Sequence, residues 1–286
     1  MKRTTFNLPE KVIFCKKCVE SNQRFVTSVQ HKMTPDEKKD TAKFDDEGVC
    51  LACRYYEKKE KTDWKLKEKK LIEILDRYRR NDGYYDVLVP GSGGKDSIFT
   101  SYILKEKYNM HPLTCTWAPG MYTDIGRKNY ECWIDSGFDN YLFTPNKKVH
   151  KLLTKLAFKN LLHPFQPFAL GQYSFPQKVA LEKKIKLIVY GDGMSEVVVG
   201  KFNSDDDEEK KNVKLDRWLY ASKEDEIFLG GENVKDIIKK YNLSKNDLHP
   251  FMPVNEEEML EANLEILAIT DFINYNPQNN YYFAKE

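Results

Sequence analysis

The apolar positions in the middle of the chain predict short strands that alternate with amphipathic helices. Four short apolar runs predict strands: residues 86–90, 111–117, 140–145 and 186–192. Between the runs, apolar residues recur at helical spacing, for example at Val149, Leu152, Leu153 and Leu156. Strand and helix patterns that alternate in this way indicate βαβ units. The sequence therefore predicts an α/β fold, a parallel sheet with helices on both faces.

The two ends of the chain follow different patterns. Residues 1–62 carry no long apolar pattern, whereas Leu71, Ile74, Leu75 and Tyr78 form one face of a predicted helix. We therefore expect a small N-terminal module at 1–62 and a larger domain at 63–286, with the boundary near Thr62. Residues 203–212 are charged and of low complexity, which is typical of a solvated loop. The C-terminal part is predicted to be mostly helical, with Leu260, Leu264 and Leu267 on one face.

Composition and charge narrow the classes of function. The chain of 286 residues is 41% hydrophobic and 31% charged, which suits a globular protein. A net charge of +2 gives no argument for a nucleic-acid partner. No apolar run approaches the ~20 residues of a membrane span, and no secretory signal follows the basic N-terminus. We therefore expect a cytoplasmic protein with no membrane partner, whose paired cysteines are metal ligands before they are disulfides.

Two Cys-x-x-Cys pairs lie in the N-terminal module. Their members are Cys15 and Cys18 in the first pair and Cys50 and Cys53 in the second. Each pair forms a turn that directs two thiolates at one ion, and two such turns close a tetrahedral site. Gly48 suits the tight turn of the second pair. The pattern predicts a structural Zn²⁺ site that staples a segment too polar to fold alone, the alternative being four unrelated thiols.

A redox role for either pair is disfavoured, because thioredoxin-like motifs lie at a strand–helix junction and these pairs do not. Cys115 falls in a predicted strand and Cys132 in a predicted helix, and neither has a cysteine near it in the sequence. We expect both side chains to pack as buried apolar groups.

A glycine-rich turn that carries a lysine connects the first predicted strand to a helical pattern; residues 91–97 read GSGGKDS. The phosphate loop of kinases, G-x-x-x-x-G-K-[ST], needs glycine at the position of Val89 and serine or threonine at that of Asp96. The dinucleotide fingerprint, G-x-G-x-x-G, needs glycine at Asp96. Neither motif matches this turn.

The turn resembles the SGGxDS motif of the PP-loop ATP-pyrophosphatase superfamily, whose fold is of the adenine nucleotide alpha-hydrolase type. The matching residues, which the resemblance makes ATP-binding, are Ser92, Gly93, Gly94, Lys95, Asp96 and Ser97. Backbone N–H groups and the two serine hydroxyls would hold the β- and γ-phosphates at the helix N-terminus. Lys95 and Asp96 are the predicted catalytic pair, Lys95 as a point charge and Asp96 as the ligand of Mg²⁺. Attack then falls on the α-phosphorus of ATP, and pyrophosphate leaves. The alternative is a βα turn that binds no ligand.

Further motifs resemble the N-acetyl sugar amidotransferase family within this superfamily. They are the paired cysteines, VPGSGGKDS, LTCTWAPGMYTDIGRKN, GFDNYLFTPNKKVHK and LIVYGD. The resemblance implies conversion of an N-acetyl group to an acetamidino group in lipopolysaccharide, surface-polysaccharide or flagellin-glycan biosynthesis. It also implies a separate glutaminase subunit that supplies ammonia, because no cysteine here has the setting of a glutaminase nucleophile.

The same resemblance assigns further site residues. Thr116, Trp117 and Gly191 are expected to bind ATP, the first two near adenosine. The sugar site is expected to include Tyr122, Thr123, Asp124, Arg127, Asn129, Asp192 and Glu196. The family usually has glutamate at the position of Asp192, and Glu196 matches the next acidic position after a one-residue shift. The alternative for residues 122–129 is a loop that caps a helix, with Asp124 as N-cap. Family members typically continue for several tens of residues past the position of Glu286, so we expect this sequence to be shortened relative to them.

Two other functions fit parts of the sequence. A tRNA thiolase of the PP-loop superfamily can carry similar cysteine pairs, but it needs further paired cysteines in the catalytic domain, and Cys115 and Cys132 are scattered. The small net charge is also weak for tRNA binding. A catalytically impaired nucleotide-binding subunit is the other possibility. The altered residues after Gly191 favour it, and the intact Lys95 and Asp96 oppose it.

Overall fold

A computed structural model of the chain describes residues 8–25, 32, 41–191 and 227–286. The α-helices are α1 (Leu51–Glu60), α2 (Trp64–Tyr78), α3 (Lys95–Glu106), α4 (Asp124–Asp135), α5 (Lys147–Leu161), α6 (Gln166–Lys183), α7 (Val234–Tyr241), α8 (Lys245–Leu248), α9 (Glu256–Glu261) and α10 (Pro277–Lys285). The strands are β1 (Val87–Pro90), β2 (Pro112–Trp117), β3 (Asn140–Phe143), β4 (Leu187–Tyr190), β5 (Phe228–Leu229), β6 (Glu232–Asn233) and β7 (Glu265–Ala268). Short 3₁₀ turns cover His249–Phe251 and Ile269–Asp271.

Five strands form one parallel sheet in the order β3-β2-β1-β4-β7. Strand β1 is central, and Val89 pairs with Thr114 of β2 while Leu88 pairs with Ile188 of β4. The four predicted strands are all present. The parallel α/β architecture expected from the alternating patterns is confirmed.

The strands are apolar throughout because both faces of the sheet are covered. Successive residues of a strand point to opposite faces. Val87 and Val89 accordingly pack with Leu71 and Leu75 of α2. The intervening Leu88 packs on the other face, against α6 and α9, with Val179, Ala180 and Met259. Helices on both faces of the sheet are thus confirmed.

The predicted helical face at Leu260, Leu264 and Leu267 is wrong. Helix α9 ends at Glu261, and Asn263 adopts a left-handed φ of 50°, which breaks the helix. The chain then enters strand β7, where Leu267 is buried beside Val189 of β4. Leu260 is exposed instead. The helical spacing of the three leucines is coincidental, because a short buried strand gives no periodic signal that distinguishes it from a helix segment.

The predicted boundary near Thr62 falls in the short connection between α1 and α2. Asp63 caps α2 by accepting hydrogen bonds from the N–H groups of Lys65 and Leu66, both at 3.1 Å. The division into two domains near Thr62 stays a prediction. Residues 203–212 and the candidate site residues Asp192 and Glu196 lie outside the described residues. None of the helices in the described ranges is long and apolar enough to cross a membrane.

Candidate functional site

The glycine turn leads from strand β1 into helix α3. The N–H of Gly91 donates to the carbonyl of Cys115 on β2 at 2.9 Å, and Gly93 has a φ of 77°. Gly94 is the N-cap of α3 and supplies no side-chain cap. The first N–H groups of a helix have no partner within the helix, and here no side chain replaces one. The start of α3 therefore presents uncapped donors and the positive end of the helix dipole, which favour an anion.

Close backbone approaches place two segments, α4 and the end of β4, beside the turn. A Cβ on Gly93 would lie 2.6 Å from the Cα of Tyr130 and 2.7 Å from the carbonyl oxygen of Asn129. A Cβ on Gly191, just after β4, would lie 2.8 Å from the carbonyl oxygen of Asp96. The structure thus brings the turn, helix α4 and the end of β4 together at the carboxyl edge of the sheet, where α/β sheets bind ligands.

A cavity of about 240 Å³ opens at this edge. Its lining includes the predicted residues Ser92, Asp96, Trp117 and Gly191, and also Gln172 and Tyr173 of α6. No sequence motif marks Gln172 or Tyr173, which reach the cavity only because α6 packs across the sheet. Ser97, which also lines the cavity, donates from Oγ to the carbonyl of Gly94 at 2.9 Å and stabilises the first turn of α3.

Asp96 and Lys95 form an ion pair within a larger polar cluster. The other members are Tyr275, whose hydroxyl donates to Oδ1 of Asp96 at 3.0 Å, and Asn280, whose Nδ2 donates to the same oxygen at 3.3 Å. Lys95 also donates to the Tyr275 hydroxyl at 3.3 Å. Burial lowers the pKa of Lys95, but the hydrogen bonds to Asp96 and Tyr275 outweigh burial and hold that pKa above its usual value. Sequence analysis missed Tyr275 and Asn280.

Thr116 and Trp117 at the end of β2 have different surroundings. Thr116 is buried and accepts a hydrogen bond from Nδ2 of Asn140 at 3.2 Å. The Trp117 ring stacks on Phe143 with centroids 5.1 Å apart. It lines the cavity, and its buried Nε1 has no hydrogen-bond partner among the described residues. An unpaired buried donor at a cavity is a site where a ligand acceptor would be stabilised.

Residues 122–129 lie at the start of α4, beside the turn. The N-cap is Thr123, whose hydroxyl accepts from the N–H of Gly126 at 3.0 Å, so Asp124 is the first helical residue and not the cap. The Arg127 guanidinium lies 5.5 Å from the ring centroid of Tyr122. Burial raises the pKa of Tyr122, and its buried hydroxyl has no partner in the part of the chain that the structure describes. The role of this segment in sugar binding stays a prediction.

The four N-terminal cysteines converge on one point. Their Sγ atoms all lie within 4.8 Å of one another, with Cys15–Cys53 at 3.9 Å and Cys18–Cys50 at 3.6 Å. A tetrahedral ion with Zn–S bonds of 2.3 Å requires S–S separations of about 3.8 Å. The geometry fits one four-thiolate metal ion.

The backbone around Cys15 suits a thiolate ligand. The N–H groups of Cys50 and Lys17 donate to Sγ of Cys15 at 3.2 and 3.3 Å. Burial raises the pKa of Cys15, but these donors outweigh burial and bring it to about 6. Gly48 has a φ of 78°, as the expected tight turn requires. The metal-binding character of this cluster is supported by these contacts.

The other two cysteines differ from each other. Cys115 is buried in β2, as predicted, and burial raises the pKa of its thiol. Cys132 is exposed on α4, so its predicted burial is wrong. Helix α4 is amphipathic and buries Tyr130 and Trp133, which leaves Cys132 on the outer face.

No protein-family model matches the chain, and no curated protein matches its sequence. Three solved structures with similar folds have low TM-scores. A predicted subunit of a tRNA methyltransferase from Methanocaldococcus jannaschii has a TM-score of 0.34 and 17% identity, over 71% of this chain and 75% of that one. An NH3-dependent NAD synthetase from Campylobacter jejuni has a TM-score of 0.36 and 15% identity, over 50% of this chain and 62% of that one. The U34-tRNA thiolase NcsA from Methanococcus maripaludis, with its [4Fe-4S] cluster, has a TM-score of 0.28 and 15% identity, over 82% of this chain and 72% of that one. Scores this low carry no functional argument.

Proposed function

We propose that the chain is a PP-loop ATP pyrophosphatase and, within that superfamily, an N-acetyl sugar amidotransferase. The observation that carries the proposal is the uncapped N-terminus of α3, preceded by the turn Ser92–Gly94 and carrying Lys95 and Asp96 beside a cavity. Donors, a cation and a carboxylate at one helix start are the groups that a triphosphate with its metal needs.

In this proposal, the residues of the turn and of the cavity bind different parts of ATP and its metal. The N–H groups at the start of α3 and the Ser92 hydroxyl bind the β- and γ-phosphates, and Lys95 neutralises their charge. Asp96 would hold Mg²⁺, which when bound spreads the charge that develops on the leaving pyrophosphate. Trp117 and the half-buried Tyr173 provide an apolar wall for the adenosine side of the cavity.

The reaction needs ATP because a carboxamide is a poor electrophile. The acetamido oxygen attacks the α-phosphorus, the bond to the β-phosphate oxygen breaks, and pyrophosphate leaves. Ammonia then attacks the imidate carbon, the C–O bond to AMP breaks, and AMP and a proton are released. The sugar then carries an amidine. A separate glutaminase would supply the ammonia.

The proposed sugar site includes residues 122–129 and the acidic residues Asp192 and Glu196. Support comes from the close approach of α4 to the glycine turn at Gly93, because Arg127 lies in the first turns of α4 and Tyr122 directly precedes its N-cap. Arg127 is exposed and, among the described residues, forms an ion pair only with the exposed Glu131, at 3.9 Å, so its guanidinium is able to exchange that partner for a carboxylate or phosphate of a substrate. Asp192 follows Gly191 directly, and Gly191 contacts the backbone of Asp96.

The four-cysteine cluster, for which we propose a structural Zn²⁺, also favours a second candidate, thiolation of a tRNA base. That reaction adenylates a base carbonyl and uses sulfur as the nucleophile. Among the described residues, however, the cluster at Cys15 is the only group of three or more potential metal ligands found. Cys115 is buried and Cys132 is exposed on another element, so no cysteine pair beside the cavity supports the sulfur chemistry.

A screen of substrates with defined products tests the proposal. The protein is incubated with ATP, Mg²⁺, ammonium and a panel of N-acetylated sugars, and sugar masses are measured. We expect AMP, pyrophosphate and one sugar whose mass falls by the difference between oxygen and NH. AMP formation that requires tRNA and a sulfur donor, with no change in any sugar, would replace the amidotransferase by the thiolase.

A further inference from the structure

Tyr275 connects three parts of the molecule that are far apart in the sequence. Its hydroxyl lies between Lys95 and Asp96, donating to the carboxylate at 3.0 Å and accepting from the amine at 3.3 Å. Its carbonyl accepts a hydrogen bond from Nζ of Lys59 at 3.0 Å. No motif predicted Tyr275, and the proposed chemistry does not yet give it a role.

The two oxygens of the Asp96 carboxylate have different partners. Oδ1 accepts hydrogen bonds from Tyr275 and from Asn280, whereas Oδ2 pairs with the Lys95 amine. If Lys95 turns to a phosphate, Oδ2 loses its partner while Oδ1 keeps both neutral donors. The carboxylate is then held in place with one oxygen available to a cation.

The segment that supplies these donors is fixed by packing. Asn276 caps α10 by accepting from the N–H groups of Gln278 and Asn279. The Phe283 ring packs edge-on against Phe99 of α3, with centroids 5.3 Å apart. Asn280 lies on the same helix and is only 3% exposed. The position of the donors relative to α3 is therefore set by α10.

Lys59 makes two contacts with Tyr275. Its Nζ lies 5.4 Å from the Tyr275 ring centroid, a cation–π distance, in addition to the hydrogen bond to the carbonyl. Lys59 belongs to α1, which begins directly after Cys50 and contains Cys53. Helix α1 thus begins in the cysteine cluster, and its C-terminal end contacts Tyr275, the residue that bonds to Lys95 and Asp96.

We propose that Tyr275 is a positioning residue of the phosphate site, which holds Oδ1 of Asp96 so that Oδ2 receives the cation that accompanies ATP, and that Lys59 anchors Tyr275. The proposal rests on the proposed function, because it takes Mg²⁺ and ATP as the ligands of the turn. It adds a role for a C-terminal tyrosine and for helix α1 that no motif assigns.

Nucleotide binding with and without metal tests the role of Tyr275. Affinities for ATP are measured by calorimetry in Mg²⁺ and in EDTA, for the intact chain, Tyr275→Phe and the control Tyr282→Phe. Tyr282 lies on α10 and is exposed. We expect Tyr275→Phe to weaken MgATP binding about tenfold, the loss of one hydrogen bond to a charged group, with little change in EDTA. Tyr282→Phe should change neither. Equal losses in both buffers would indicate structural damage and overturn the proposal, as would unchanged MgATP binding.

Lys59→Met tests the anchor, because methionine keeps an unbranched side chain without the ammonium. We expect the same Mg²⁺-dependent loss as for Tyr275→Phe, but smaller. The control Lys61→Met changes an exposed lysine at the end of the same helix and should bind MgATP normally. Unchanged binding in Lys59→Met would remove Lys59 from the proposal.

A measurement on the ligand-free protein separates this proposal from the proposed function. The rate of Lys95 labelling by an amine reagent at one fixed pH is followed by mass spectrometry. Lys95 donates a hydrogen bond to the Tyr275 hydroxyl at 3.3 Å, so Tyr275→Phe should expose the amine and speed its labelling relative to the exposed Lys61, and Tyr282→Phe should not. A protein that binds no ATP but shows this increase would overturn the ATP function and leave the contact of Tyr275 with Lys95 intact. An unchanged rate would overturn that contact and with it the positioning role.

Discussion

Two glycines shape the proposed phosphate site as much as its charged residues do. Gly93 and Gly94 are adjacent, yet their surroundings differ. Gly93 has a positive φ and touches the backbone of Tyr130, whereas Gly94 has a φ of −76° and its nearest neighbour for a Cβ is Oγ of Ser92 at 3.8 Å. The two alanine variants therefore separate folding from ligand access.

Gly93→Ala should lose much more stability than Gly94→Ala. At Gly93 the strained φ costs about 1–2 kcal/mol, and the clash with α4 adds about 1–3 kcal/mol to the loss in the free energy of unfolding. Gly94→Ala should cost at most about 1 kcal/mol, because alanine is a poorer N-cap than glycine. Its methyl group at the cavity should nevertheless weaken ATP binding. A stable Gly93→Ala would contradict the contact between the turn and α4.

The charged residues of the turn are predictable from the sequence, and their partners are not. The motif Ser92–Ser97 identifies Lys95 and Asp96 because its spacing is local. Tyr275 and Asn280 lie some 180 positions away along the chain, in contact with Asp96 only through the packing of α10 on α3. No local pattern carries that information.

At the scale of elements, the sheet was predictable wherever a strand is flanked by turns and helical patterns. Strands β1 to β4 follow that rule. Strand β7 does not, because a short strand beside a short helix imitates a single helical face, and only its pairing with β4 distinguishes the two.

Two leucine variants test strand β7 directly. Leu267 is 4% exposed and Leu260 is 64% exposed. Leu267→Ala should lower the free energy of unfolding by about 2–5 kcal/mol, as expected for a buried leucine, whereas Leu260→Ala should change it little. Urea unfolding of both variants provides the comparison. Equal losses in the free energy of unfolding would contradict strand β7 and support one helical face that contains both leucines.

The cysteine module is the other element with a direct test. Elemental analysis should find about one zinc per chain, because four thiolates complete a tetrahedral site. Removal of the metal by a chelator should increase amide hydrogen exchange in residues 8–25 and 41–60, since the polar module has little core of its own. Cys15→Ser should lose the metal, whereas Cys132→Ser should keep it. A stable module without metal would contradict the assignment.

In the whole molecule, segments from both ends of the described chain meet at the carboxyl edge of one sheet. Helix α1 reaches Tyr275, Tyr275 reaches the phosphate turn, and α4 and the end of β4 close on the same turn. The sequence predicts the sheet and the turn, whereas the closure by α1 and α10 depends on contacts between distant segments. Under the proposed function, all of these parts belong to one ATP-binding site that releases pyrophosphate.

The carboxylate of the turn provides the variant that tests this site. Asp96→Asn keeps an acceptor for the Tyr275 hydroxyl but removes the charge that would hold Mg²⁺, so the fold should survive. Nucleotide turnover should fall about a hundredfold or more, as for loss of a group that stabilises charge in the transition state. Asp135→Asn, an exposed substitution at the C-terminal end of α4, is the control, because no role in binding or chemistry is proposed for that residue.

The most direct measurement is the identity of the nucleotide product. The intact chain and Asp96→Asn are incubated with the N-acetylated sugar panel, ammonium, Mg²⁺ and ATP labelled in the α- or the γ-phosphate, and the products are separated by chromatography. We expect the α-label in AMP and the γ-label in pyrophosphate, and we expect Asp96→Asn to form both products about a hundredfold more slowly or not at all. Appearance of the α-label in ADP and of the γ-label in inorganic phosphate would contradict the proposed function.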